Sequence, residues 1–238
     1  MNIIYTYSLY EPCLKNSKYW INYIIRKIVN YHNYIYNGGL AGACRGGHMH
    51  LVNMMIEKGA DSWDSGLARA CEGGHIDIID MMIEKGARLD YGLRGAYKGG
   101  HIDIINMMHK KGAEDEHGAF KAACQGGHLN LVNTMINKFA SYANRMQIAI
   151  EYACEGGNID IINLIIKKSG NIFKKDAPSW VGGLVGACKG GHLNIVNMAI
   201  DNSSNDVILG YGLYDACQRG HITLLNILNV TFIFFENH

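Results

Sequence analysis

Proline is almost missing from this chain, with only Pro12 and Pro178 among 238 residues. Proline inside a helix removes a donor and clashes with the preceding turn, so long stretches here are free to be helical. No run of about 18 apolar residues occurs, the length a spanning helix needs. The nearest, 222 to 235, is shorter and carries Asn226 and Asn229. The opening "MNIIYTYSLYEPCLK" lacks a basic start followed by an apolar core, so neither a signal peptide nor a transmembrane helix is expected. A charge excess is lacking too. With 22 Lys and Arg against 21 Asp and Glu, nothing global attracts nucleic acid or an anionic membrane. A cytoplasmic setting is expected, with the seven cysteines as free thiols in a reducing interior. Apolar residues make up 48% of the chain, enough to bury a core, and Asn, Ile, Lys and Tyr are heavily used.

The chain is rich in one phrase, which in one copy reads "ACEGGHIDIIDMMIEKGA" from Ala70 to Ala87. Anchored on His75, it recurs at His48, His101, His128, Asn158, His192 and His221, at intervals of 27, 26, 27, 30, 34 and 29 from His48 onward. Spacing on this scale marks a repeat architecture. Eight residues before each anchor stands Leu40, Leu67, Leu93, Phe120, Ile150, Leu184 or Leu213, and three residues later always Ala. Cys follows that Ala in six copies and Tyr97 in one. Apolar or small residues at i, i+3 and i+4 make one face of a short helix.

The paired glycines then end that helix, since Gly adopts a left-handed cap without strain. After the anchor, apolar residues at positions 1, 3, 4, 7 and 8 (Ile76, Ile78, Ile79, Met82 and Ile83) predict a second helix face. Asp77 sits where the positive end of its dipole favours a carboxylate, and Lys85-Gly86 marks its end. The unit is helix, tight turn, helix and connector.

"GLARACEGGHIDIIDMMIEKGA" resembles the two-helix part of the ankyrin repeat, with Leu67, Ala70, Gly74, His75, Ile79 and Gly86-Ala87 at matching places. Seven copies in register, over roughly residues 38 to 229, carry the resemblance. Ser65-Gly66 stands where the family has Thr-Pro, and Ala68 where it has His. The early period is also shorter than the family's roughly 33 residues. The resemblance therefore implies an all-α, ankyrin-type helix-turn-helix solenoid with shortened or missing β-hairpin fingers. Bare turns are expected between the first four copies, a normal finger at 169 to 183 and a partial one at 203 to 212. Short repeats in an Asn/Ile-rich chain look most like the ankyrin families of large amoeba-infecting DNA viruses.

Residues 1 to 37, with Ile21, Ile24, Ile25 and Ile28 on one face, read as an N-terminal cap or degenerate repeat. The tail from 230 to 238 carries Phe232, Phe234 and Phe235. It either folds back over the last helices or offers a surface for self-association or membrane contact. The oligomeric state stays open.

A Cys and a His four residues apart suggest a nucleophile with its base, or a pair of metal ligands. A catalytic pair should be unique, yet this one recurs at 44/48, 124/128, 188/192 and 217/221, and in part at 154/158. It reads as architecture: no catalytic, cofactor or metal site is expected, and the chain is not expected to be an enzyme. Gly-Gly-His follows a helix rather than a strand, unlike a phosphate loop. Met pairs fill core slots. A row of Asn five residues after the anchor (53, 106, 133, 163, 197 and 226, with Asp80 in the other copy) is expected to face solvent. Lys167, Lys168, Lys174 and Lys175 cluster around the expected finger.

Family resemblance implies partner binding on exposed first-helix positions, one, two and five after the leading apolar residue. The candidates are Arg45, Arg69, Arg94, Lys98, Lys121, Tyr152, Lys189 and Tyr214. Tyr is enriched at binding hot spots, and the basic residues suit an acidic or host-derived protein partner. The function expected is non-enzymatic protein binding, with self-assembly as a structural or particle component as the alternative. Neither nucleic-acid binding nor stable membrane insertion is expected.

Overall fold

A computed structural model describes residues 32–139, 143–170, 179–202, 214, 216, 217 and 219–221. Among these residues there are twelve long helices and no strand. The chain divides into two compact units, Met1–Ala119 and Phe120–His238. Expectations for the N-terminal cap before His32, the Phe-rich tail, Asn226, Lys174 and Lys175, and the segment 203 to 212 lie outside the described residues; residues 32–37 of the expected cap are part of the first described helix.

Unit 1 holds the helix pairs α1 (His32–Gly46) with α2 (Met49–Glu57), α3 (Trp63–Gly73) with α4 (Ile76–Glu84), and α5 (Leu89–Gly99) with α6 (Ile102–Lys110). First helices stack on first helices, α1 on α3 and α3 on α5, and each second helix packs on its own first helix. The division between units falls inside α7 (Glu116–Gly126). Unit 2 continues with α8 (Leu129–Phe139), α9 (Ala143–Gly156), α10 (Ile159–Ser169), α11 (Ser179–Gly190) and α12 (Leu193–Asp201). There α9 stacks on α11, and each packs on the second helix that follows it.

Each core is built from the repeated phrase. In α3 and α4, Leu67, Ala70, Cys71, Ile78, Ile79 and Met82 are all buried. Each of the large side chains among them contributes about 1.5–3 kcal/mol through removal from water. The second-helix face is narrower than its spacing suggests. Ile76, Ile102, Leu129 and Ile159, all directly after the anchor, are exposed. At about 100° per residue, position 1 lies more than a quarter turn from the centre of positions 3, 4 and 7, so it swings out to solvent. The Asn row faces solvent at 53, 106, 163 and 197 and is half-buried at 133.

Gly-Gly-His is a joint between repeats. Gly74 closes α3 in the left-handed conformation, at φ +84°, and its N–H donates to the Ala70 carbonyl. His75 then turns back, and its Nε2 meets the Arg45 carbonyl at 2.9 Å. The same contact recurs from His101 to the Glu72 carbonyl in unit 1, and in unit 2 from His192 to Glu155 and from His221 to Lys189, each at 3.1 Å. A carbonyl only accepts, so Nε2 carries the proton in each. Any side chain at the first glycine of the pair, Gly73, would collide with that same Arg45 carbonyl.

At the opposite edge of unit 1 the connectors are bare turns with no finger. The connector after Glu84 turns at Lys85-Gly86-Ala87-Arg88, and α5 begins at once with Leu89. Its backbone needs partners that a β-hairpin would otherwise supply. Arg88 N–H donates to Asp64 Oδ1 at 2.7 Å, 24 residues away. One repeat earlier, Asp61 and Ser62 N–H donate to Asn37 Oδ1 at 2.8 and 3.0 Å; one repeat later, Glu114 N–H donates to Asp90 Oδ1 at 3.1 Å. In unit 1 a side chain from each first helix thus ties down the next connector, Asp64 and Asp90 from the first turn of α3 and α5 and Asn37 from the second turn of the longer α1. Of the finger expected at 169 to 183, Ser169 is the last residue of α10 and 179 to 183 belong to α11, which begins at Ser179. Residues 171 to 178 lie outside the described residues.

Candidate partner-binding face

Arg45, Arg69 and Lys98 come from three successive first helices, α1, α3 and α5, and meet on one carboxylate. Arg69 Nη1 donates to Glu72 Oε2 at 2.6 Å, while Arg45 Nη2 and Lys98 Nζ approach Oε1 at 3.3 and 3.2 Å. The Glu72 side chain is only 6% exposed, whereas the three cations are 40%, 35% and 36% exposed. Burial alone would raise the Glu72 carboxyl. The Arg69 hydrogen bond and the charges of Lys98, Arg69 and Arg45 outweigh it and hold the carboxyl below its usual range.

Arg94 is not part of this cluster. It pairs with Asp115 at the connector edge, with its guanidinium 5.1 Å from the centre of the Tyr91 ring. Asp115 also accepts from Gly118 N–H at 3.0 Å, capping the start of α7.

Unit 2 repeats the device with a different balance. Glu155, at the slot equivalent to Glu72, has a side chain only 9% exposed, with Lys121 Nζ at 3.1 Å from Oε2 and Arg219 Nη2 at 3.8 Å from Oε1. Gln125 Nε2 donates to Oε1 at 3.1 Å. The Lys121 ammonium also lies 4.8 Å from the centre of the Tyr152 ring, bringing two candidates together. Lys189 pairs with Glu151 at 2.7 Å. Tyr214 is exposed. Lys168, from the basic cluster, donates to Asn137 at 3.0 Å.

All eight candidates are therefore at least partly accessible, but the expectation that slot two faces solvent fails where it holds a small residue. Gly42, Gly95, Ala122 and Gly186 are buried. A Cβ at Gly95 would run into the Ala68 carbonyl, and one at Gly186 into the Glu151 carbonyl. Here the first helices come closest, and a bare backbone is what lets them. Ala41, at slot one of α1, is buried as well. The acids Glu72, Glu151 and Glu155 occupy the same slots, yet only their three-dimensional neighbours show that they organise the cations.

The recurring cysteines are packing residues. Cys44, Cys71, Cys124, Cys154 and Cys188 are buried free thiols, and Cys217 is exposed. Burial pushes the thiols of Cys44, Cys71 and Cys154 up to about 12, which suppresses the nucleophilic thiolate. Among the described residues no group of three or more His, Cys, Asp or Glu is placed to hold a metal ion, and no helix is long and apolar enough to cross a membrane. An open groove of about 540 Å³ lies between α2 and α4, on the second-helix side, lined by Asn53, Ile56, Glu57, Met81, Glu84 and Lys85.

No protein-family model and no curated protein matches the chain. Among solved structures it is similar to the human ASB11 ankyrin repeat domain. That likeness has a TM-score of 0.39 and 18% identity, covering 70% of this chain and 86% of the other. The description of this protein as a helix-turn-helix repeat stack rests on its own helix pairs.

Proposed function

We propose that this protein is a non-enzymatic binding module that docks a protein partner on its first-helix face. The observation that carries this reading is the convergence of Arg45, Arg69 and Lys98 on Glu72. Three repeats each contribute one cation to a single accessible spot, as expected of a surface read by an extended partner. Unit 2 carries candidates of its own on its first helices, Lys121 with Tyr152 and, further on, Lys189 and Tyr214. An acidic partner fits this chemistry. On the resemblance to ankyrin families of amoeba-infecting viruses, it would be a host protein met in the cytoplasm.

Affinity capture with the full chain tests the reading. Charge reversal is a poor choice, because Glu at 69, 94 or 121 would face Glu72, Asp115 or Glu155 and disturb the fold. The neutral variant Arg69→Gln, Arg94→Gln, Lys121→Gln, shown by circular dichroism to stay folded, is the comparison. A partner captured by the native chain and lost by the variant supports the first-helix face. Equal capture by both, or concentration-dependent self-assembly with no partner on either, overturns it.

A further inference from the structure

We infer that the joint between α7 and α9 in unit 2 is a hinge, latched by side chains on the first-helix face where other joints are clamped through the backbone. At the joints led by His75, His101, His192 and His221, the imidazole Nε2 donates to a carbonyl of the preceding repeat at 2.9 to 3.1 Å. The joint led by Asn158 departs from this. Asn158 lies over Gly127, where a Cβ would come 3.1 Å from its Nδ2, much as His75 lies over Gly47 and His192 over Gly157. Its Oδ1 accepts from Ile161 N–H at 3.1 Å and caps the start of α10. Among the described residues it makes no bond to the Gln125 carbonyl, which stands where the other joints have the acceptor. The amide ends one atom short of an imidazole Nε2, and it serves its own helix instead of the joint.

Packing at this joint is close all the same. A Cβ at Gly156 would run into the Cys124 carbonyl, just as one at Gly190 would run into the Glu155 carbonyl. What the two first helices share beyond packing is polar. Gln125 Nε2 donates to Glu155 Oε1 at 3.1 Å, and Lys121 Nζ lies 3.1 Å from Oε2. On the second-helix side Lys168 donates to Asn137 in an exposed position. The joint between α9 and α11 has both devices, Lys189 on Glu151 and the His192 clamp. At the Asn158 joint the latch works without a clamp. Its Lys121 is 37% exposed and within reach of solvent and solutes. The hinge stands on contacts within the chain and does not depend on the docking reading.

The buried thiols report on the joints one by one. Cys44 Sγ lies 3.5 Å from where a Cβ would stand at Gly66 of α3, and Cys154 Sγ 3.6 Å from one at Gly183 of α11. The thiol of a first helix therefore faces the first helix that follows. In the same register Cys124 faces α9 across the hinge, while Cys71 and Cys154 face α5 and α11 across clamped joints. All three are buried, so each reacts only when local unfolding opens its joint.

Slow thiol labelling of the full chain under native conditions, read by mass spectrometry of its peptides, tests this. Cys124 should label about three- to tenfold faster than Cys71 and Cys154, the factor that one hydrogen bond commands. Asn158→His should supply the clamp and slow Cys124 to the pace of Cys154. Lys121→Gln should loosen the latch and speed Cys124 about threefold, while Cys71 and Cys154 keep their pace. Both variants are checked by circular dichroism, and the native chain alone already compares the joints.

Equal labelling of Cys124, Cys71 and Cys154 overturns the hinge, because the stack then opens as a whole. Faster labelling of Cys124 that Asn158→His leaves unchanged overturns the missing clamp as its cause. A Lys121→Gln chain whose Cys124 keeps its native pace overturns the latch. Slowing by Asn158→His together with speeding by Lys121→Gln supports the inference.

Discussion

The imidazole Nε2 of His75 donates to the backbone carbonyl of Arg45 at 2.9 Å, across 30 residues of sequence. The helix end that presents this carbonyl also presents the Arg45 side chain to Glu72. A residue type that suggests catalysis here spaces one repeat against the next, and that spacing sets where the cations of the first-helix face meet.

Removing this clamp should therefore cost stability without touching any chemistry. His75→Ala is expected to lower unfolding free energy by about 1–2 kcal/mol, from the lost hydrogen bond and the half-buried carbonyl left behind. Urea unfolding measures it, and an unchanged midpoint would refute the clamp.

Glu72→Gln should destabilise the protein even though it removes a charge largely withdrawn from water. With three cations left facing each other, the cost is about 1–2 kcal/mol, discounted because the cations are more than a third exposed. The native Glu72 carboxyl lies below its ordinary value of 4.5. A lowered folded value gives stability that is present above the unfolded value and lost as pH falls through the folded one. Native stability should thus drop as pH falls below about 4.5, and the Glu72→Gln protein should show a shallower drop over the same window. Parallel acid titrations of both proteins would count against this role.

Gly95→Ala separates propensity from packing. Helix propensity alone makes the change stabilising by about 1 kcal/mol. Collision of the new Cβ with the Ala68 carbonyl predicts the opposite sign, a loss of about 1–3 kcal/mol as α3 and α5 are forced apart. Thermal denaturation decides between the two signs.

Buried thiols make a prediction at the alkaline end. Cys217 should react quickly with a thiol reagent in the folded chain, and Cys44, Cys71, Cys124, Cys154 and Cys188 only on unfolding. Burial raises Cys44, Cys71 and Cys154 from 9.0 to about 12. Their contribution is complete below pH 9 and is lost as pH rises through about 12. Mass spectrometry of labelled peptides reads the first part, and stability against pH the second. Fast labelling of Cys71 in the folded state would contradict its packing role.

The repeat was legible because helix faces and glycine caps are local. Leu67, Ala70 and Ile79 stand at helical spacing, and Gly74 ends a helix wherever it occurs, so the pairing of helices followed from spacing alone. The Ile76 and Ile102 positions were misplaced for an equally local reason. Position 1 of a helix counts as apolar in a pattern, but its direction depends on how far the buried face extends around the axis.

The helix-turn-helix unit and its core could be read from the chain alone, because hydrophobic period and turn chemistry act over a few residues. The sequence also named the cations that reach the surface. It took the packing of repeats to bring Arg45 and Lys98 to the Glu72 that Arg69 already meets within α3, while Arg94 turns to Asp115. That packing also decided that Asp64 replaces the missing finger by holding Arg88 N–H. Apart from Arg69 and Glu72, which are a turn apart in α3, these contacts join residues of neighbouring repeats. Their geometry follows from how closely Gly95 and its equivalents allow neighbouring helices to approach, which no local pattern encodes.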